Sequence, residues 1–264
     1  MRLQRTREYD PEDRRYKDVY SFTNRRPFAP INTFSHEIIE EVFDFAYGMS
    51  FGREGHHRNH RTGGNNRRRN GEIFADTFQG KLAEFALWEV FNDNGLLVPM
   101  PDLEMYDEGV WDSSDFEYMG RKIAVKSTKS FGQLLLLEAE DWNEEGLYIP
   151  NLNTDNELYH YFVLVRLEPY AADILRGNRL YFNDTCDRNT LKELILAQEF
   201  TYDIPGYMTR NNLVQLIERN YFIPQGAYLN RMGRNNRMDA DNYYMQAGNL
   251  HHIDGLIERL RALE

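Results

Sequence analysis

The sequence predicts an α/β protein: a central mixed β-sheet flanked by helices, with helical and loop-rich N- and C-terminal additions. Two observations carry this. Apolar residues recur at helical spacing through "SHEIIEEVFDFAYGM" (35–49) and "EIFADTFQGKLAEFALWEVFNDNG" (72–95). By contrast, "KIAVKST" and "YHYFVLVRL" (159–167) are short runs rich in β-branched and aromatic residues, the composition of strands. At 264 residues and 41% hydrophobic content, the chain can bury a core without disulfides.

Residues 1–34 are polar and charged, with Pro11, Pro27 and Pro30, and predict an arm with little order of its own. Residues 35–264 then form one domain, its core at about 73–167. Ser35 can cap the first helix, and Ile38, Ile39, Val42, Phe43, Phe45 and Ala46 supply its apolar face. The stretch "FGREGHHRNHRTGGNNRRRNGE" (51–72) has five glycines, four asparagines and six arginines, and reads as a surface loop. The second helix runs from Asp76 or Thr77 at the latest and ends at Asn94-Gly95, with Glu84 inside its apolar stretch and Glu89 on its outer face. After it, "LLVPMPDLEMY" reads as a short strand or extended piece. "SDFEYM" is a strand, Gly120-Arg121 a turn, and "KIAVKST" the next strand. Short helices follow at "RNTLKELILAQ", at "TRNNLVQLIERN" capped by Thr209, and at "GNLHHIDGLIERLRALE" with Asn249 as its cap; this 187–264 region is helical. Tyr243 and Tyr244 read as core material.

The formal charge of −11 argues against wholesale wrapping of nucleic acid. Its distribution is uneven. Residues 1–70 hold 14 Arg and Lys against 10 Asp and Glu, and only one of the 14 is Lys. Arginine suits bidentate contact with phosphate or guanine. The lone Cys186 cannot form an internal disulfide, points to a reducing cytoplasm, and lies in no pattern of an activated thiol. There is no signal peptide, no run long enough to span a membrane, and no nucleotide-binding loop, because "RTGGNN" lacks the Lys-Ser/Thr ending. His56, His57 and His60 invite a zinc reading, but sit on a Gly-rich loop with no cysteine or second pair; solvated loop or nucleic-acid contact is the stronger reading.

Glu84, Asp115 and Lys126 follow one another as a helix carboxylate, a strand carboxylate and, beyond a turn, a lysine on the next strand. Phosphodiester hydrolysis uses such a set: hard oxygens to hold a divalent cation, and a lysine to orient water and offset charge. Ser127, Thr128 and Ser130 can donate to phosphate, and Lys129 adds charge. Each residue also has an ordinary explanation. Lys126 fits an edge-strand lysine, Asp115 a turn residue of "DSSD", and Glu84 a partner of Lys81.

The block "GKLAEFALWEVF…DFEYMGRKIAVKSTK", Gly80 to Lys129, resembles the PD-(D/E)XK nuclease superfamily of restriction endonucleases and resolvases. That resemblance implies a restriction-endonuclease-like core, with Glu84 matching the helix glutamate, Asp115 the metal-binding aspartate and Lys126 the catalytic lysine. Metal binding would fall to Glu84, Asp115 and the Val125 carbonyl, with Mg²⁺ as cofactor and Mn²⁺ able to substitute. The chain departs from the pattern at Ala124, where the family usually has an acid; Glu138 and Glu117 are candidates to replace it. The implied activity is Mg²⁺-dependent cleavage of double-stranded DNA, foremost as a type II restriction endonuclease, by a cytoplasmic homodimer. A resolvase-type or repair nuclease, and a non-catalytic nucleic-acid-binding protein with a decayed site, are the other readings. Expected DNA contacts are Arg58, Arg61, Arg67, Arg68 and Arg69 in the first Arg/Asn-rich segment, Ser127 and Lys129 beside the site, and Arg231, Arg234, Asn235, Asn236 and Arg237 in a second segment.

Overall fold

The computed structural model describes residues 2–11, 13–52, 68–104, 115–152, 157–233 and 236–264. The chain is a mixed α/β protein with six helices and three sheets among these residues. The largest sheet is a curled, five-stranded half-barrel. Its strands, in spatial order, are β3 (Asn32–Thr33), β8 (Thr201–Thr209), β7 (Tyr161–Glu168), β5 (Arg121–Lys129) and β4 (Phe116–Tyr118). β4 and β5 form an antiparallel hairpin, β5 runs parallel to β7, and β7 pairs antiparallel with β8. The hairpin turns at Met119 and Gly120, both at positive φ (47° and 72°), the twist that a tight two-residue turn requires.

β7 is buried on both faces, which explains its unbroken apolar run. Val163, Val165 and Leu167 join Ile123 of β5 in a cluster with Phe43 of α1 (His36–Tyr47) and Phe78 and Leu82 of α2 (Asn70–Asp93). Three further helices add to this cluster: α3 (Ala171–Gly177), α4 (Arg188–Leu196) and α6 (Ile253–Arg261). On the other face, Phe162 and Leu164 join Ala124 against a second sheet, β6 (Leu134–Glu138), β11 (Asn242–Gln246) and β9 (Phe222–Ile223), with α5 (Arg210–Glu218) alongside. α2 is enclosed by α1, α3 and the sheet, so apolar residues occupy most of its circumference. No helix among the described residues is long and apolar enough to cross a membrane.

Several expectations hold at the level of caps. The Ser35 side chain accepts from the Ile38 amide, the Thr209 side chain from Asn212, and Gly95 leaves α2 at φ +77°. Others are corrected. The polar N-terminal segment forms a hairpin, β1 (Gln4–Asp10) with β2 (Arg15–Ser21), and β2 also pairs in parallel with β10 (Tyr228–Leu229), some two hundred residues away. Residues 96–104 form no strand. α6 is capped by His252, while Asn249 ends a short 3-10 turn. Glu89 is half-buried and accepts a 2.7 Å hydrogen bond from the buried Tyr202 hydroxyl, so burial raises its pKa.

β8 escapes a sequence reading because Pro205 and Gly206 interrupt it. The structure absorbs both in a bulge: Leu164 pairs with Gly206 and Arg166 with Asp203, so Ile204 and Pro205 together oppose Val165. Gly206 is required there, since a Cβ would stand 2.1 Å from the His251 carbonyl oxygen. Directly beside the bulge, the fully buried Arg166 donates through Nε (2.8 Å) and Nη2 (2.5 Å) to the two Asp203 oxygens. It also donates to the carbonyls of Arg26 (2.7 Å) and Pro27 (2.8 Å).

Removing one partner strands a buried charge, at about 3–5 kcal/mol. Asp203→Leu is expected to lower unfolding free energy by about that amount, measured by urea denaturation, and Arg166→Met combined with Asp203→Leu to recover part of the loss.

Candidate functional site

β4 is three residues long and pairs with β5 only as far as Ile123. Beyond that point, among the described residues, β5 has β7 on one side and no strand partner on the other. Asp115, just before β4, covers the start of this edge: its Oδ2 accepts from the Val125 amide at 2.6 Å. Further along, the edge opens into a cavity of about 570 Å³. Val125 to Thr128 form its floor, α2 contributes Asp76 and Gln79, and the second sheet contributes Glu138 and Asn242.

Strand alternation explains what meets there. Ala124 and Lys126 point to the same face of β5, the face that the second sheet covers. Glu138 lies opposite Asn242 in the β6–β11 ladder, so both side chains leave that sheet on one side, into the cavity. Lys126 is exposed and makes no ion pair among the described residues. The charge of Lys126 acts on Glu138, but does not decide its ionisation. Burial comes first, then the negative neighbours Asp141, Asp239 and Glu140, and together they push the Glu138 carboxyl up to about 7. The Glu138 Oε2 and Gln79 Nε2 atoms are buried with no hydrogen-bond partner among the described residues. Gln79 is 1% exposed, its Oε1 held by the Ala171 amide at 3.1 Å. A buried donor and a buried acceptor thus both line one cavity, where an ordered water, an ion or a ligand would satisfy them.

The expected site residues are partly brought together. Asp115 and Val125 are in direct contact, and Val125, Lys126 and Ser127 line the cavity. Glu84 does not line it: its carboxylate accepts from Lys81 Nζ at 2.7 Å, the ordinary pairing that its spacing also allowed. The α2 carboxylate in the wall is Asp76, about two turns earlier, which forms a 3.3 Å ion pair with Arg68. Of the two candidates to replace the missing acid, Glu138 is in the cavity. Glu117 is on β4 opposite Lys122, and its charge is felt by His160. Asp76, Gln79, Asp239 and Asn242 were not foreseen; a glutamine beside Phe78 in an apolar stripe was the one legible signal.

Among the expected DNA contacts, Arg69 pairs with Asp184 and Lys129 with Asp173 (3.0 Å). Asn236 donates to the Arg231 carbonyl (3.3 Å), and Arg237 packs beside Gly226. Arg58, Arg61, Arg67, Arg234 and Asn235 lie outside the described residues, as do His56, His57 and His60. Cys186 is half-buried, which pushes its thiol up and away from nucleophilic thiolate.

Among the described residues, no three of His, Cys, Asp and Glu are gathered closely enough to enclose a metal ion. Mg²⁺ does not need such a cage, because it is commonly held by one or two carboxylates together with water and substrate phosphate. Four carboxyls in one wall, one of them with a buried unpartnered oxygen, fit that looser mode. No protein-family profile, curated protein or solved structure matches the chain.

A carboxyl raised by burial stabilises the fold fully below its unfolded pKa, and that contribution is lost as pH rises through the folded value. In metal-free protein, melting temperature is therefore expected to fall between pH 4.5 and about 7 through Glu138. Thermal scans across that range should show a shallower decline in Glu138→Gln.

Proposed function

We propose that this chain is a Mg²⁺-dependent endonuclease of the PD-(D/E)XK type that cleaves double-stranded DNA, foremost as a type II restriction enzyme. The observation that carries the reading is the meeting of Lys126 and Glu138 in a carboxylate-lined cavity at the open end of β5. The order of elements supports the fold-level part: a helix carrying carboxylates, a hairpin, then a strand parallel to the next.

In this reading Glu138 supplies the acid that Ala124 lacks. Asp76 takes the helix position that order along the chain gave to Glu84, which instead holds Lys81. Asp115 gives one oxygen to the Val125 amide and so positions the strand that carries Lys126. Mg²⁺, when bound, polarises the phosphoryl group and lowers the pKa of the attacking water. Lys126 orients that water and offsets the charge gathering on the phosphate. Ser127 and Thr128 donate hydrogen bonds to phosphate oxygens. Glu138 gives up its proton when a cation arrives, since a nearby positive charge reverses the effect of its acidic neighbours. The enzyme acts as a homodimer in the cytoplasm, on the same analogy.

One observation favours a second reading. Ala124 is 4% exposed and packed in the second core cluster, as a residue with a purely structural role would be. A protein that binds nucleic acid without cutting it follows if no other acid serves.

Purified protein with unmethylated phage-length DNA and Mg²⁺ is expected to give discrete fragments that disappear in EDTA. Lys126→Ala and Glu138→Gln should lower the rate by about 10²-fold or more, as should Asp76→Asn, while Glu84→Gln stays within a few-fold of the parent. Intact DNA in both Mg²⁺ and Mn²⁺, with binding that falls steeply with salt, would establish the second reading.

A further inference from the structure

A second cavity, of about 690 Å³, adjoins the first and shares Thr128, Leu134, Leu136 and Tyr170 with it. The two walls are opposite in charge. Among the described residues, the first holds four carboxyls against two cations, whereas no carboxylate lines the second, which has Arg25, Lys129 and Arg237. The second is also aromatic, through Phe22, Phe28, Phe131 and Tyr170.

Phe131 stands out among them, because it is 70% exposed although it lies in a concave wall. The turn that carries it is rigid. Gly132 donates to the Lys129 carbonyl at 2.7 Å, and a Cβ at Gly132 would come within 2.5 Å of the Thr128 side chain. The Lys129 ammonium lies 5.5 Å from the Phe131 ring centre and 4.9 Å from that of Tyr170; Arg25 lies 5.4 Å from that of Phe22. Asn230 and Asn236 in the same wall carry amides, which can both donate to and accept from a base edge. An aromatic platform with cations around it and amides beside it is the chemistry that holds a nucleobase and its phosphate.

We propose that this second cavity receives an unpaired nucleobase of the DNA whose phosphate lies in the first, with the base stacked on Phe131. A base within a duplex has both faces covered by its neighbours, so only one turned out of the stack, or in a single strand, can meet Phe131. The cavity's size falls in the range of roughly 300–1,000 Å³ common for small-ligand sites. The proposal rests on the nuclease reading for its choice of substrate.

The test is a binding titration of the full chain in EDTA, which keeps it independent of cleavage. The probes are a short single strand containing 2-aminopurine, the same base opposite thymine in a duplex, and a strand of abasic sugar-phosphate. The expected result is quenching of 2-aminopurine by the parent protein, and about tenfold weaker binding of the single strand by Phe131→Ala, with Phe131→Trp restoring it. The abasic strand should bind the parent and Phe131→Ala alike. Because Phe131 is exposed, the variant should melt with the parent. Quenching in the duplex as well identifies a base turned out of the helix; quenching in the single strand alone identifies a single-stranded substrate. Equal affinity of parent and Phe131→Ala for the base-containing strand, or absence of quenching in both probes, overturns the proposal. Failure of Mg²⁺-dependent cleavage with quenching intact overturns the nuclease reading and leaves the base site standing.

Discussion

The buried pair of Arg166 and Asp203 is the constraint on which the surrounding architecture depends. A guanidinium fully out of water must have its donors met, and here they are met by one carboxylate and the backbone of a distant segment. Its placement on β7 therefore determines where residues 26–29 cross the sheet. Asp203 Oδ2 also accepts from the Ala29 amide, and Gln133 forms a reciprocal pair with the Arg26 backbone. These polar contacts are directional where apolar packing is not, and they specify one register for the segment.

The two cavities follow from this arrangement and from the face of β5 on which Lys126 stands, the one that also carries Ala124. The second sheet closes over the same face and brings Glu138 to Lys126. The 22–28 segment, held by Arg166 and Gln133, forms the far wall of the adjoining cavity. The hairpin, the buried pair and the second sheet thus divide one end of β5 into an acidic and a basic compartment.

Local signals were legible wherever the chain's own neighbours determine structure. Ser35 and Thr209 acted as caps, Gly95 ended α2, and the β-branched and aromatic content of β5 and β7 marked them as strands. What escaped notice depends on partners remote in sequence. β1 and β2 read as a polar arm because β1 is exposed along most of its length and the strand that extends their sheet, β10, lies far along the chain. β8 was hidden by Pro205 and Gly206, which are tolerated only because the bulge meets the His251 backbone. In the site, the hairpin and Lys126 were readable from order alone. Order could not separate Asp76 from Glu84 on one helix, since which of them faces the cavity is set by the rotation of α2 against the sheet. Glu138 was a candidate, but its raised pKa comes first from burial and then from acidic neighbours that include the remote Asp239, which only the fold assembles.

The span of these contacts has a consequence for biosynthesis. Thr23 and Asn24 hydrogen-bond through their amides to Gln246, Leu3 to the Tyr244 hydroxyl, and Asn230 to Tyr20, so residues 3–24 wait for partners more than two hundred residues further along the chain. Contacts this far apart form late, after loop closure over most of the chain. The wall shared by residues 22–28 and 229–238 cannot exist on a nascent chain. The basic compartment is therefore assembled only after residue 238 has been synthesised, and a product interrupted before that point lacks it.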